Sequence, residues 1–68
     1  MVEFKVEQVG TLTLLEVWGK DMNGRDVCVG HIGYSGNFSP NRSVSPQLSP
    51  DDLLRISDRA KIWMMTGR

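Results

Sequence analysis

The sequence predicts an α+β domain: a three-stranded antiparallel sheet, then a long loop, then one C-terminal helix packed on one sheet face. Three features point to it. Apolar and charged residues alternate from Val2 to Glu7, and an Asn-Gly dipeptide separates two runs rich in β-branched residues. Ser49-Pro50-Asp51-Asp52 then opens a stretch with helical period.

The first strand is expected over residues 2–8, with Val2, Phe4 and Val6 facing a core and Glu3, Lys5 and Glu7 facing solvent. Gly10 punctuates the chain, and residues 11–18 supply a second strand whose apolar residues do not alternate. Leu12 and Leu14 point one way, and Leu15 and Val17 point the other. A bulge near Leu14 and Leu15, or burial on both faces, accounts for this, and it favours the central position for this strand. Asn23-Gly24 suits two successive positive φ angles in a tight hairpin turn, so a third strand follows over residues 26–34. Strict alternation puts Val27, Val29 and His31 on one face, and Cys28, Gly30, Ile32 and Tyr34 on the other. One helix covers only one side of a sheet, which leaves apolar sheet surface for another partner.

Residues 35–49 are rich in Ser, Pro, Asn and Gly and read as a loop, with Phe38, Val44 and Leu48 able to pin it to the domain. The helix is expected over residues 50–65. Ser49 is its cap, Pro50 suits its first turn, and two carboxylates face the positive end of the dipole. At about 100° per residue Leu53, Ile56, Ala60, Trp63 and Met64 form a core-facing stripe. Ile62 falls opposite, with Leu54 and Met65 on a flank.

A chain of 68 residues, 40% hydrophobic and 24% charged, has room for one globular domain. A core of this size contributes only about 3–5 kcal/mol, and small domains often gain the rest by associating. Cys28 is the only cysteine, so no internal disulfide forms and a reducing, cytoplasmic setting is expected. The first residues lack the basic start and apolar run of a signal peptide, and no stretch is apolar enough to span a bilayer. Eight basic residues balance eight acidic ones, which weighs against a nucleic-acid partner.

Catalytic and metal chemistry find little footing in the composition. His31 is the only histidine, and Asp26 and Ser35 nearby do not make a recognisable triad. Structural zinc normally takes four Cys or His ligands and this chain has two. Strand alternation further separates Cys28 from His31, so no catalytic residue, metal or cofactor is expected. Residues 21–26 resemble a calcium loop only at their start, and Gly30 to Gly33 matches a GxxG clamp but lies in a strand. A bulged or closely approached strand end is the simpler account of those glycines. The Asn41-Arg42-Ser43 glycosylation triplet needs a secretory route, and the Ser-Pro steps at 39, 45 and 49 are ordinary turn and cap chemistry.

Apolar groups thus exceed what one helix and one sheet face bury. The expected function is a non-enzymatic protein-binding module, with Trp18, Ile32, Tyr34, Leu54, Ile62 and Met65 as contact residues. Its partner is another protein or a second copy of itself. Small accessory domains of this kind are common among phage and mobile-element regulators and inhibitors of larger host machines, so that class is the expectation. A sheet that binds nucleic acid and a structural homo-oligomer are the alternatives, the first opposed by Glu3 and Glu7 on the outward face of the first strand.

Overall fold

The computed structural model describes residues 2–44 and 48–67, arranged as β1 (Glu3–Val9), β2 (Leu12–Lys20), β3 (Asp26–Ile32), β4 (Phe38–Pro40) and α1 (Pro50–Thr66). The strands form one antiparallel sheet in the order β1-β2-β3-β4. The fold class and the interior position of β2 agree with the sequence. The fourth strand was hidden in the expected loop: its three residues contain Pro40, and neither composition nor period marks them as a strand. The Ser45-Pro46 step lies outside the described residues. No helix among the described residues is long and apolar enough to cross a membrane.

The tight turns follow from local chemistry. Gly10 joins β1 to β2 at φ 63°, and Gly24 takes φ 78° between β2 and β3, positions that cost an L side chain steric energy. Asn23 does not share the positive φ expected of it. Instead Asp21 organises the turn, its Oδ1 accepting from the Asn23 amide at 2.8 Å and the Arg25 amide at 2.9 Å.

One sheet face and α1 enclose the core of Val2, Leu15, Val17, Val29, Ile32, Ile56, Ala60 and Trp63. Phe4, Val27, Phe38 and Leu48 pack at its margin. The alternation in β2 is regular through Leu14 and Leu15, so of the two accounts of its mixed pattern the bulge at that point does not hold: Leu15, Val17 and Gly19 are buried, and Leu14, Glu16 and Trp18 lie on the open face. The pairing instead shifts between Val17 and Trp18. Val17 lies opposite Gly30 and Trp18 lies opposite Cys28, so β3 carries one extra residue, Val29, at a β-bulge. Parity slips by one there, and Val29, Gly30 and Ile32 all fall on the buried side. Asn41 braces the bulge, its amide donating to the Val29 carbonyl at 2.9 Å and its Nδ2 to the Cys28 carbonyl at 3.0 Å.

Helix α1 begins as its sequence dictates. Ser49 Oγ accepts from the Asp52 amide at 3.1 Å, while the Asp52 carboxylate accepts from the Ser49 amide at 3.1 Å, a reciprocal capping box. The bond from the Ser49 amide holds the Asp52 carboxyl below its usual range. Such a group adds stability above its unfolded pKa, and that contribution is lost as pH falls through the lower folded value. Ser49→Ala is expected to destabilise the domain by about 1 kcal/mol in neutral thermal melts. It should also flatten the acid limb of the curve of melting temperature against pH. An unchanged acid limb would show that the box contributes nothing to folding.

Candidate functional site

The helix covers one side of the sheet, and among the described residues no element covers the other, which is open. Cross-strand partners share a face, so the pairs Glu3–Trp18, Lys5–Glu16 and Glu7–Leu14 stand together on the open side with Trp18–Cys28 and Glu16–His31. Lys5 Nζ sits 4.5 Å above the centre of the Trp18 ring, and Trp18 Nε1 donates to Glu16 Oε1 at 3.4 Å.

The bulge has a direct chemical result. Cys28 and His31, which strict alternation sets on opposite faces, both point to the open side, with Cys28 Sγ 4.0 Å from His31 Nε2. That corrects the separation expected from the sequence. Glu16 Oε2 lies 3.9 Å from the same nitrogen and 3.9 Å from the thiol. Glu7 approaches from β1, its Oε2 3.7 Å from His31 Nε2. Two carboxyls, a thiol and an imidazole from three strands thus meet at one half-buried point.

The groups perturb one another. The Glu7 carboxyl is raised above its usual range by its hydrogen bond to Glu16, by partial desolvation and by the Glu16 charge, with His31 opposing. The Cys28 thiol is also raised, chiefly by desolvation and further by the charges of Glu16 and Glu7. In isolation such a thiol stays protonated and is a weak nucleophile.

Helix α1 forms the second exposed surface. Leu54, Ile62 and Met65 are solvent-exposed there, as expected, and the described residues of the preceding loop do not cover them. Leu53 and Met64, expected in the core, are also exposed, because the buried arc is narrower and passes through Asp52, Ile56, Ala60 and Trp63. They border a shallow groove of about 360 Å3 between α1 and Phe38.

The other expected contact residues divide. Trp18 stands half-buried on the open face. Tyr34 is exposed beside the end of α1, its ring stacked on Trp63 at 6.3 Å between centroids. Ile32 is no contact residue: the bulge turns it inward, where it is fully buried against the core. Sequence pattern alone does not show the four-residue cluster, because strict alternation sets Cys28 and His31 on opposite faces. Gly30 within the strand was the available signal, since a glycine there often marks a bulge. The chain matches no protein-family model, no curated protein and no solved structure in the comparisons made.

Proposed function

We propose that the protein is a non-enzymatic protein-binding module that associates through the outward face of α1, with a second copy of the chain as its partner. The observation that carries this reading is the exposure of Leu54 (63%), Ile62 (52%) and Met65 (84%) on one helix. A single exposed apolar residue is ordinary, but three large ones on a helix make interface material.

The choice of partner rests on self-complementarity. Leu54, Asp58, Lys61 and Met65 are spaced by four, three and four residues, and at about 100° per residue they occupy an arc about 60° wide. All four are exposed. A two-fold axis crossing the helix midway between Asp58 and Lys61 sets Leu54 of one copy against Met65 of the other. The same axis sets Asp58 against Lys61 twice. An isologous contact needs a patch that complements itself in this way. Two antiparallel helices of this length make a small contact, in the weak class below about 1,200 Å2. In this reading the domain acts by occupying a surface, as a small regulator or inhibitor does. The open sheet face gives phosphate binding little support, since Glu3, Glu7 and Glu16 oppose Lys5 there.

Sedimentation equilibrium over a wide concentration range tests the proposal. The native chain should dimerise, while Ile62→Asp and Met65→Lys should remain monomeric and keep the melting temperature of the native chain at dilutions where it too is monomeric. Asp58→Lys should weaken the dimer by about tenfold through like-charge contact, and adding Lys61→Asp should restore it. A monomeric native chain at every concentration, or no rescue by the double exchange, refutes the antiparallel contact.

A further inference from the structure

The group of side chains on the open sheet face has the make-up of a metal centre. Glu16, Cys28 and His31 each offer one ligand atom, and the three atoms lie within 4.8 Å of one another. They belong to two adjacent strands, and the β3 bulge is what brings the thiol and the imidazole to the same side. We infer that Glu16, Cys28 and His31 bind Zn2+ on the open face of the sheet, leaving its fourth position to water.

The distances suit tetrahedral zinc. Bonds of about 2.3 Å to sulfur and about 2.0–2.2 Å to nitrogen or oxygen, at tetrahedral angles, put neighbouring ligand atoms about 3.3–3.6 Å apart. The observed separations are 4.0 Å from Cys28 Sγ to His31 Nε2 and 3.9 Å from Glu16 Oε2 to each of those atoms. Each of these three edges must close by only a few tenths of an ångström, which rotamer adjustments on a half-exposed face supply.

The chemistry of the donors selects the metal. Thiolate with imidazole favours zinc over the hard cations magnesium and calcium, which prefer all-oxygen shells. Binding releases the Cys28 thiol proton to solvent, and the resulting thiolate and the Glu16 carboxylate together balance the two positive charges. Zinc undergoes no redox change in this step. A supporting contact is already in place: Trp18 Nε1 holds Glu16 Oε1 at 3.4 Å, leaving Oε2 turned toward the thiol and the imidazole. Orienting bonds of this kind are typical of the outer layer of metal sites. Behind the strand, Asn41 fixes the Cys28 carbonyl and with it the bulge.

The expectation of no metal counted only Cys and His as ligands and placed them on opposite faces. The bulge removes the second premise, and carboxylates, which are ordinary zinc ligands, remove the first. The site lies across the sheet from α1, so it is independent of the helix-mediated association proposed above.

Titration of the reduced full chain with Zn2+ against a chromophoric chelator, repeated with Co2+ as the spectroscopic substitute, tests the site. One Zn2+ per chain is expected. The Co2+ form should show the visible absorption of tetrahedral cobalt together with a thiolate-to-metal charge-transfer band. Cys28→Ser, His31→Gln and Glu16→Gln should each weaken Zn2+ binding by at least about tenfold, since even outer-layer partners are worth that much. Cys28→Ser should also abolish the charge-transfer band, while Met65→Lys should bind Zn2+ like the native chain even if it no longer dimerises. Absence of stoichiometric Zn2+ binding to the native chain overturns the inference, as does a Co2+ spectrum without the thiolate band. Unchanged affinity in both Cys28→Ser and His31→Gln does the same.

Discussion

Trp63→Ala should leave most of the chain unfolded at room temperature. Trp63 is 1% exposed and is the largest fully buried side chain in the domain, held against the sheet by α1 and stacked on Tyr34. Truncating a buried aromatic to alanine costs about 3–5 kcal/mol, because apolar burial is lost and the cavity does not collapse. A core of this size supplies about the same amount in total. Loss and reserve are therefore comparable, and the folded population falls steeply. Trp63→Phe should behave quite differently. It keeps a ring in the cavity and removes the indole Nε1, which is buried without a hydrogen-bond partner among the described residues. Relief of that unpaired donor is worth about 1–3 kcal/mol, which offsets much of the lost volume. Urea unfolding followed by circular dichroism should rank Trp63→Phe close to the native chain and far above Trp63→Ala. Equal damage in the two variants would show that the unpaired indole carries no penalty.

The second large effect is expected at Gly30, which follows the bulge residue Val29 and pairs with Val17. A Cβ built there would lie 2.5 Å from Phe38 Cε1 and 2.5 Å from the Ser39 carbonyl oxygen. The ring has some freedom to move, but the carbonyl belongs to the backbone of β4. Gly30→Ala therefore pushes β4 away from β3, opens the ladder at Ile32–Phe38 and loosens Phe38 from the core margin. Overpacking of this kind costs about 1–3 kcal/mol, and the backbone obstacle places this case at the upper end. Gly33→Ala is the control, since a Cβ there meets nothing within 4 Å. Chemical denaturation should separate the two clearly, and amide exchange should quicken at β4 in Gly30→Ala alone. If both variants melt like the native chain, the close approach of β4 to Gly30 is not restrictive.

Where the sequence was legible, a strong local rule was at work. Alternation located β1, and Ser49-Pro50-Asp51-Asp52 fixed the start of α1 to the residue. Asn23-Gly24 located the hairpin, although Asp21 rather than a second positive φ shapes it. The misreadings share one cause, the tertiary use of a residue that local pattern does not encode. An extra residue in β3 is fixed by its pairing with β2, and it reassigned Ile32 to the core and His31 to the open face. Phe38 to Pro40 became a strand because β3 offered an edge and Gly30 offered room for a ring, with Pro40 ending it. Leu53 and Met64 lie at the angular margin of α1, where the width of the sheet beneath decides burial.

The order β1-β2-β3-β4 also governs how quickly the domain assembles. Every strand pairs with its immediate neighbour in the chain, so the sheet forms by closing successive short turns, with no strand inserted between two others. Pairings between sequence neighbours keep contact order low, and low contact order goes with fast folding even in sheet proteins. The encounter of longest reach brings α1 back to the start of the chain, where Trp63 joins Val2, the residue before β1, in the core after the sheet has had time to zip. The meander therefore confines the costly search to one late docking step and gives exposed strand edges little time to find the wrong partner.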